Sequence, residues 1–269
     1  MKSILLHIDD DPCLDARIQV ALDLARRFNG HVTCVQAIPF VVGMPGDFYG
    51  SLMAELVPVF EERADDLKTR VEADLGNEDV SWTWVQLHGN PVEQLLKFTN
   101  LSDVAVVGCC DPLRKGATPL AGELAIRSRT PVLVVPPTSP RLDCEGPVVV
   151  AWDGSPESCR ALRAALPLLA CASSVTLATV EEEGKREYDL PPTDGAEYLS
   201  RHGIRSEIVE LPATRSIAQV LIDAATSRKA SCLVMGVYGR PRLQEIVFGG
   251  VSRELLAHPP LPLPVLAYH

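Results

Sequence analysis

The chain repeats itself, and the repeat limits its fold more than any other feature. It opens with KSILLHIDDDP (2–12) and restarts with GPVVVAWDGSP (146–156). In each copy an apolar run ends on an acidic residue, Asp9 or Asp153, followed by a capping residue and a proline, Asp11-Pro12 or Ser155-Pro156. Proline has no N–H to lose at the first helical position, so each pair predicts a helix start. The stripe Leu14, Ile18, Ala21, Leu22, Ala25 and Phe28 then predicts an amphipathic helix ending near Gly30. Leu162, Ala165, Leu166 and Leu169 repeat that stripe, with Pro167 expected to bend or shorten the second helix.

Strand-like runs recur in the same order in both halves. His31 to Val35 and Val175 to Val180 come second, Val80 to Leu87 and Ile204 to Leu211 third, Val104 to Val107 and Cys232 to Met235 fourth, and Val132 to Val135 and Val265 to Tyr268 fifth. Helix starts are expected near Asn90-Pro91 and near Thr214 to Ser216. Runs that lack polar alternation and are separated by helices predict parallel sheets covered on both faces. The front half carries a long segment, read as a loop from Gly43 to Gly50 and a helix from about Leu52 to Leu75; the matching region from Glu181 to His202 is shorter and more polar. The prolines of PPTSPRLDCEG (136–146) mark the boundary, giving a front unit at 1–137, a linker at 138–146 and a back unit at 147–269.

Charge and composition remove several function classes. A net charge of −10 and a pI near 5.1 argue against non-specific nucleic-acid binding, which needs a basic face. No apolar run approaches the ~20 residues of a membrane span, and the chain opens directly on a strand with no leader, so a cytoplasmic protein away from membranes is expected. Eight cysteines without a C-x-x-C pair read as buried reduced thiols; the adjacent Cys109 and Cys110 are awkwardly placed to bridge each other. The six histidines are dispersed, and His7 reads as a packed strand residue. With no G-x4-G-K-(S/T) and no G-x-S-x-G, neither catalytic residues nor a metal site is expected.

One stretch does carry chemistry. The run Cys232 to Met235 stops at Gly236; Gly239 follows, then Arg240 and Arg242, then Gly249 and Gly250 ahead of Val251-Ser252 and a helical-looking Arg253 to Ala257. A strand, bare glycine backbone and a helix start gather N–H groups on one spot, which suits a polyanion.

The spacing of Gly236, Gly239 and Gly249 is similar to the G-x2-G-x9-G-(S/T) nucleotide signature of the universal stress protein family, and the chain looks like two family members fused end to end. The resemblance implies two tandem Rossmann-like (adenine nucleotide alpha hydrolase-like) units, each a five-stranded parallel sheet in order 3-2-1-4-5 flanked by helices. It implies ATP or another adenine nucleotide across the carboxyl ends of the central strands, with Mg as its companion, no covalent cofactor and at most slow hydrolysis. Residue by residue, Asp153 would lie near ribose or adenine, Val180 would meet the base through its backbone, and Met235 would line the pocket. Gly236 and Gly239 would admit ribose and phosphate, and Gly249, Gly250, Val251 and Ser252 would form the phosphate turn. Gly250 departs from the family's hydroxyl. The front half departs further: Gly108 is kept, but Asp111 and Ala121 stand where the second and third glycines belong, so only the back half is expected to bind nucleotide. The family's pairing habit implies intramolecular pairing of the two units through their fifth strands, and a homodimer of the fused chain as a further assembly. The same fold also serves for a nucleotide-free scaffold or small-ligand carrier.

Overall fold

Strands that are apolar along their whole length must be covered on both faces, and among the described residues ten strands join in one sheet whose inner members meet that demand. The computed structural model describes residues 1–38, 48–109, 120–181, 189–237 and 261–269, with backbone only for 48–56. The front half runs β1 (Ser3–Ile8), α1 (Leu14–Phe28), β2 (His31–Ile38), α2 (Phe48–Leu75), β3 (Ser81–His88), α3 (Pro91–Thr99), β4 (Val104–Gly108), α4 (Leu120–Arg127) and β5 (Val132–Val135). The back half runs β6 (Val148–Ala151), α5 (Pro156–Leu169), β7 (Val175–Val180), α6 (Pro192–Arg201), β8 (Ser206–Leu211), α7 (Ile217–Ser227), β9 (Cys232–Gly236) and β10 (Val265–Tyr268).

The sheet order is β3-β2-β1-β4-β5-β10-β9-β6-β7-β8. Each half is therefore a parallel sheet in order 3-2-1-4-5, as the resemblance implied. The two meet where β5 and β10 run antiparallel, with Val265 opposite Val134, Leu266 opposite Leu133 and Ala267 opposite Val132. Strand alternation sorts the core into two layers that run across both halves. One gathers Ile4, Leu6, Val106, Leu133, Val150, Val234 and Leu266 with the apolar stripes of α1 and α5. The other gathers Leu5, Ala105, Val134, Val149, Leu233 and Val265 with α3, α4 and α7.

Four local expectations are corrected. Helix α1 starts at Leu14 rather than at Pro12, with Cys13 before its first turn and no side-chain cap there; the Asp11 carboxylate accepts from the Cys13 N–H (2.6 Å) through Oδ1 and pairs with Arg17 through Oδ2. In α5 the expected start holds, with Ser155 Oγ accepting from the Ser158 N–H and Pro156 in the first turn. Pro167 does not shorten that helix, which continues to Leu169. Its missing N–H would have reached the carbonyl of Arg163, whose side chain faces solvent, so the loss falls where water compensates it. Helix α2 begins at Phe48, inside the expected loop, and the third strands begin one and two residues late, at Ser81 and Ser206.

Candidate functional site

In a doubly wound sheet, ligands lie beyond the carboxyl ends of the strands where the connections reverse direction. In the back half that point is between β6 and β9, since β6 continues outward to β7 while β9 pairs on its other side. Asp153 follows β6 there, Val180 ends β7, and Met235 and Gly236 end β9, so the structure brings these four to one end of the sheet. Gly239, Gly249, Gly250, Val251 and Ser252 lie outside the described residues.

Asp153 is solvent-exposed, and its Oδ1 accepts from both the Ser155 N–H (3.0 Å) and the Ser155 hydroxyl (2.6 Å). Those bonds fix the serine that caps α5, so the positive end of the helix is oriented by the same acidic residue that faces the crevice. Between them, Gly154 adopts φ +79°, a left-handed conformation in which a side chain would run into the Leu190 backbone. Leu190 is bound on both sides: its N–H donates to the Gly154 carbonyl (3.0 Å), and its carbonyl accepts from Trp152 Nε1 (3.1 Å). The ring of Trp152 in turn rests on Gly195 of α6. Sequence reasoning missed this clamp; its signal was a tryptophan directly before the Asp-Gly-Ser-Pro turn.

The side chains of Val180 and Met235 are buried in the layer beneath α7, with Ala178, Ala218 and Leu221. In a parallel ladder alternate residues bond the same neighbour. Because the Ala178 carbonyl accepts from the Trp152 N–H, the Val180 backbone faces the same side, just beyond the end of β6. Gly236 has a different reason to be bare. A Cβ there would sit 2.6 Å from the Ser158 nitrogen and 2.7 Å from the Glu157 carbonyl carbon, so the first turn of α5 is pressed directly against the end of β9. Beyond it, the Val237 N–H donates to the Tyr268 carbonyl (2.8 Å), and the Val237 carbonyl is 2.9 Å from His269 Nδ1.

The equivalent place in the front half is filled differently. Counting from Asp9 and Asp153, Arg17 stands where the back half has Ala161. Arg17 is fully buried: Nε donates to the His7 carbonyl (2.7 Å), Nη2 to the Asp9 carbonyl (2.5 Å) and Nη1 to Asp11 Oδ2 (2.5 Å). A Cβ on Gly108 would lie 2.8 Å from Arg17 Nη1 and 2.8 Å from the Cys13 Cβ. In the front half an internal cation thus lies beside Gly108 and the start of α1, where the back half has the small Ala161. The sequence signal was a charge at position 17 on the face made by Leu14, Ile18 and Ala21. His7 is buried beside it, and burial first, then the Arg17 charge, push its imidazole well below the usual histidine range. A separate groove of about 350 Å³, lined by Ser174, Thr176, Arg205 and Arg228 among others, sits at the amino ends of β6 to β8, at the opposite end of the sheet from Gly236.

Two copies of a five-stranded doubly wound α/β unit, joined through their fifth strands, define the class of protein. The sequence profile of the universal stress protein family matches residues 146–268, and the front half carries the same strand order beside it. In structure the chain is similar to a universal stress protein from Archaeoglobus fulgidus DSM 4304, with a TM-score of 0.71 at 17% identity, covering 99% of this chain and 96% of that one. It is also similar to a functionally unknown protein from Pseudomonas aeruginosa PAO1, with a TM-score of 0.58 at 18% identity, covering 100% of this chain and 92% of that one. At those identities the likeness is one of fold. No curated protein matches the chain. Among the described residues no helix is long and apolar enough to cross a membrane.

Proposed function

We propose that the chain is a stress-response protein that binds one adenine nucleotide, ATP with Mg as its companion, beyond the carboxyl ends of β6, β7 and β9. The observation that carries this reading is the meeting of a capped helix end with bare strand backbone: α5 starts on Ser155 directly against Gly236, at the point where the sheet's connections reverse. In this reading the exposed Asp153 accepts from ribose hydroxyls or the adenine amino group, and the Val180 backbone meets the base edge. Met235 floors the pocket, and Gly239, Gly249, Gly250, Val251 and Ser252 wrap the phosphates. The Arg17 network supports one site per chain, because it occupies the matching ground in the front half. The two halves then act as an intramolecular pair across β5 and β10, and a homodimer adds a further level of assembly. Bound nucleotide stabilises one conformation of this assembly.

Calorimetric titration with ATP, with and without Mg, tests the proposal: one site per chain is expected, and two equivalent sites would remove the distinction between the halves. A second reading, a nucleotide-free scaffold, is favoured by one observation. The packing of α5 on Gly236 already explains that glycine without any ligand. An unchanged melting temperature at millimolar Mg-ATP, with no heat of binding, decides for the scaffold.

A further inference from the structure

Cys13 and Cys109 place their sulfurs 3.8 Å apart inside the front half. Cys13 is the residue before the first turn of α1, and Cys109 directly follows β4, so two segments far apart in sequence meet at these atoms. Both are reduced thiols in the structure. The pair is not inherited from the repeat: the back half has Glu157 and Val237 at the matching positions, which stand in the same relation to Gly236 as Cys13 and Cys109 do to Gly108. Two features stand beside it. The positive end of α1 begins at Cys13, and Arg17 lies close enough that a Cβ on Gly108 would touch both its guanidinium and Cys13.

We propose that Cys13 and Cys109 form a reversible oxidation site, at which hydrogen peroxide closes a disulfide between α1 and the end of β4. Cys109, 4% exposed against 0% for Cys13, is the thiol that peroxide meets. Its thiolate, having lost its proton to solvent, attacks one peroxide oxygen; an S–O bond forms, the O–O bond breaks, and hydroxide leaves as water after protonation. The Cys13 thiolate then attacks the Cys109 sulfur; the S–S bond forms, the S–O bond breaks, and a second water leaves. In total two thiols give up two electrons and two protons, and one peroxide is reduced to two waters. The sulfurs must close from 3.8 Å to about 2.05 Å, a movement within reach of side-chain rotation. The product ties the start of α1 to the sheet across a long loop and raises the barrier to separating them.

The test uses the full-length protein, reduced and then treated with stoichiometric peroxide without denaturant, followed by alkylation and non-reducing peptide mapping. A single linkage between the Cys13 and Cys109 peptides is expected, with loss of two titratable thiols, recovery on dithiothreitol and a higher melting temperature of the oxidised form. The linkage should disappear in Cys109→Ala and Cys13→Ala and persist in Cys110→Ser and Cys171→Ser. The proposal is overturned by linkages that map to Cys110 or Cys171, by sulfinic acid at Cys109 without a linkage, or by intact thiols at peroxide levels that oxidise the urea-unfolded chain. The wild-type map decides even if an alanine variant does not fold.

Discussion

At the scale of single residues, the front half is held by a charge that its sequence places in the wrong environment. Arg17 and Asp11 are 0% and 3% exposed at the side chain, so neither can turn to water when its partner is removed. Asp11→Ala should therefore cost about 3 to 5 kcal/mol in urea unfolding, the range for a buried pair broken on one side. The exposed pair of Arg201 and Glu197 should contribute less than about 1 kcal/mol when cut. His7 adds a pH dependence. Burial and the Arg17 charge hold its folded-state pKa well below the ordinary histidine value of 6.5, at which the unfolded chain binds a proton. The unfolded state then carries more protons than the folded one as pH falls below 6.5. Stability is full above that pH and is lost below it, by at most about 1.4 kcal/mol per pH unit for one group. Asp103 acts in the same direction at lower pH: burial opposes its charge, but the N–H groups of Ser3 and Lys2 outweigh that and hold it below the usual carboxylate range. Unfolding free energies measured from pH 7 to pH 5 should fall in the wild type and flatten in His7→Gln. The position of His7 in the strand was legible in the sequence, but its neutral state was not. That state depends first on burial and then on Arg17, ten residues along the chain and brought back by the helix.

At the scale of elements, the helix starts show how much the sequence can and cannot say. Ser155-Pro156 and Asn90-Pro91 both cap as their residue types predict, with Asn90 Oδ1 accepting from the Val92 N–H (2.9 Å). Asp11-Pro12 has the same local form, and its Oδ1 does accept from the Cys13 N–H two residues on, but its Oδ2 is held by the buried guanidinium and the regular helix begins only at Leu14. Ser155→Ala should cost about 1 kcal/mol of stability, because the Ser158 N–H loses its acceptor. Gly236→Ala is the more informative change. The added methyl lands on backbone atoms of α5 at 2.6 to 2.7 Å, which side-chain rotation cannot relieve. Helix and strand must separate, at about 1 to 3 kcal/mol. That loss should appear in thermal melts without any nucleotide, so reduced ATP binding by a Gly236 variant must be compared with its own stability before it is read as a lost contact. The glycine spacing singled out the position, but the packing of α5 against it could not be read from sequence, since it joins residues from two distant segments.

At the scale of the whole molecule, the family resemblance implied the order of strands within each half and a pairing through the fifth strands, while the antiparallel register of that seam was not legible in two short apolar runs. At that seam Leu133 and Leu266 face each other, 1% and 2% exposed, in the layer that also holds Ile4, Val106, Val150 and Val234. The opposite layer crosses in the same way through Val134 and Val265. Tyr268 strengthens the join, its hydroxyl donating to the Arg129 carbonyl (2.9 Å). Strand β10 is paired on both sides, by β5 and by β9, so neither half can unfold without stripping a neighbour from a buried strand. The chain should accordingly melt in a single calorimetric transition, with a van't Hoff enthalpy close to the calorimetric one. Two independent units would instead give a van't Hoff value near half the calorimetric one, or two peaks. Leu133→Lys is the variant that probes the cause. It places an unpaired ammonium between Leu266 and its neighbours, and the cost of burying that charge is met most readily by opening the seam. If the seam couples the halves, this variant should split the transition or broaden it, whereas the same substitution at the exposed Leu101 should leave one sharp peak. A single unchanged transition in Leu133→Lys would mean that cooperativity arises elsewhere, through contacts other than the β5–β10 pairing.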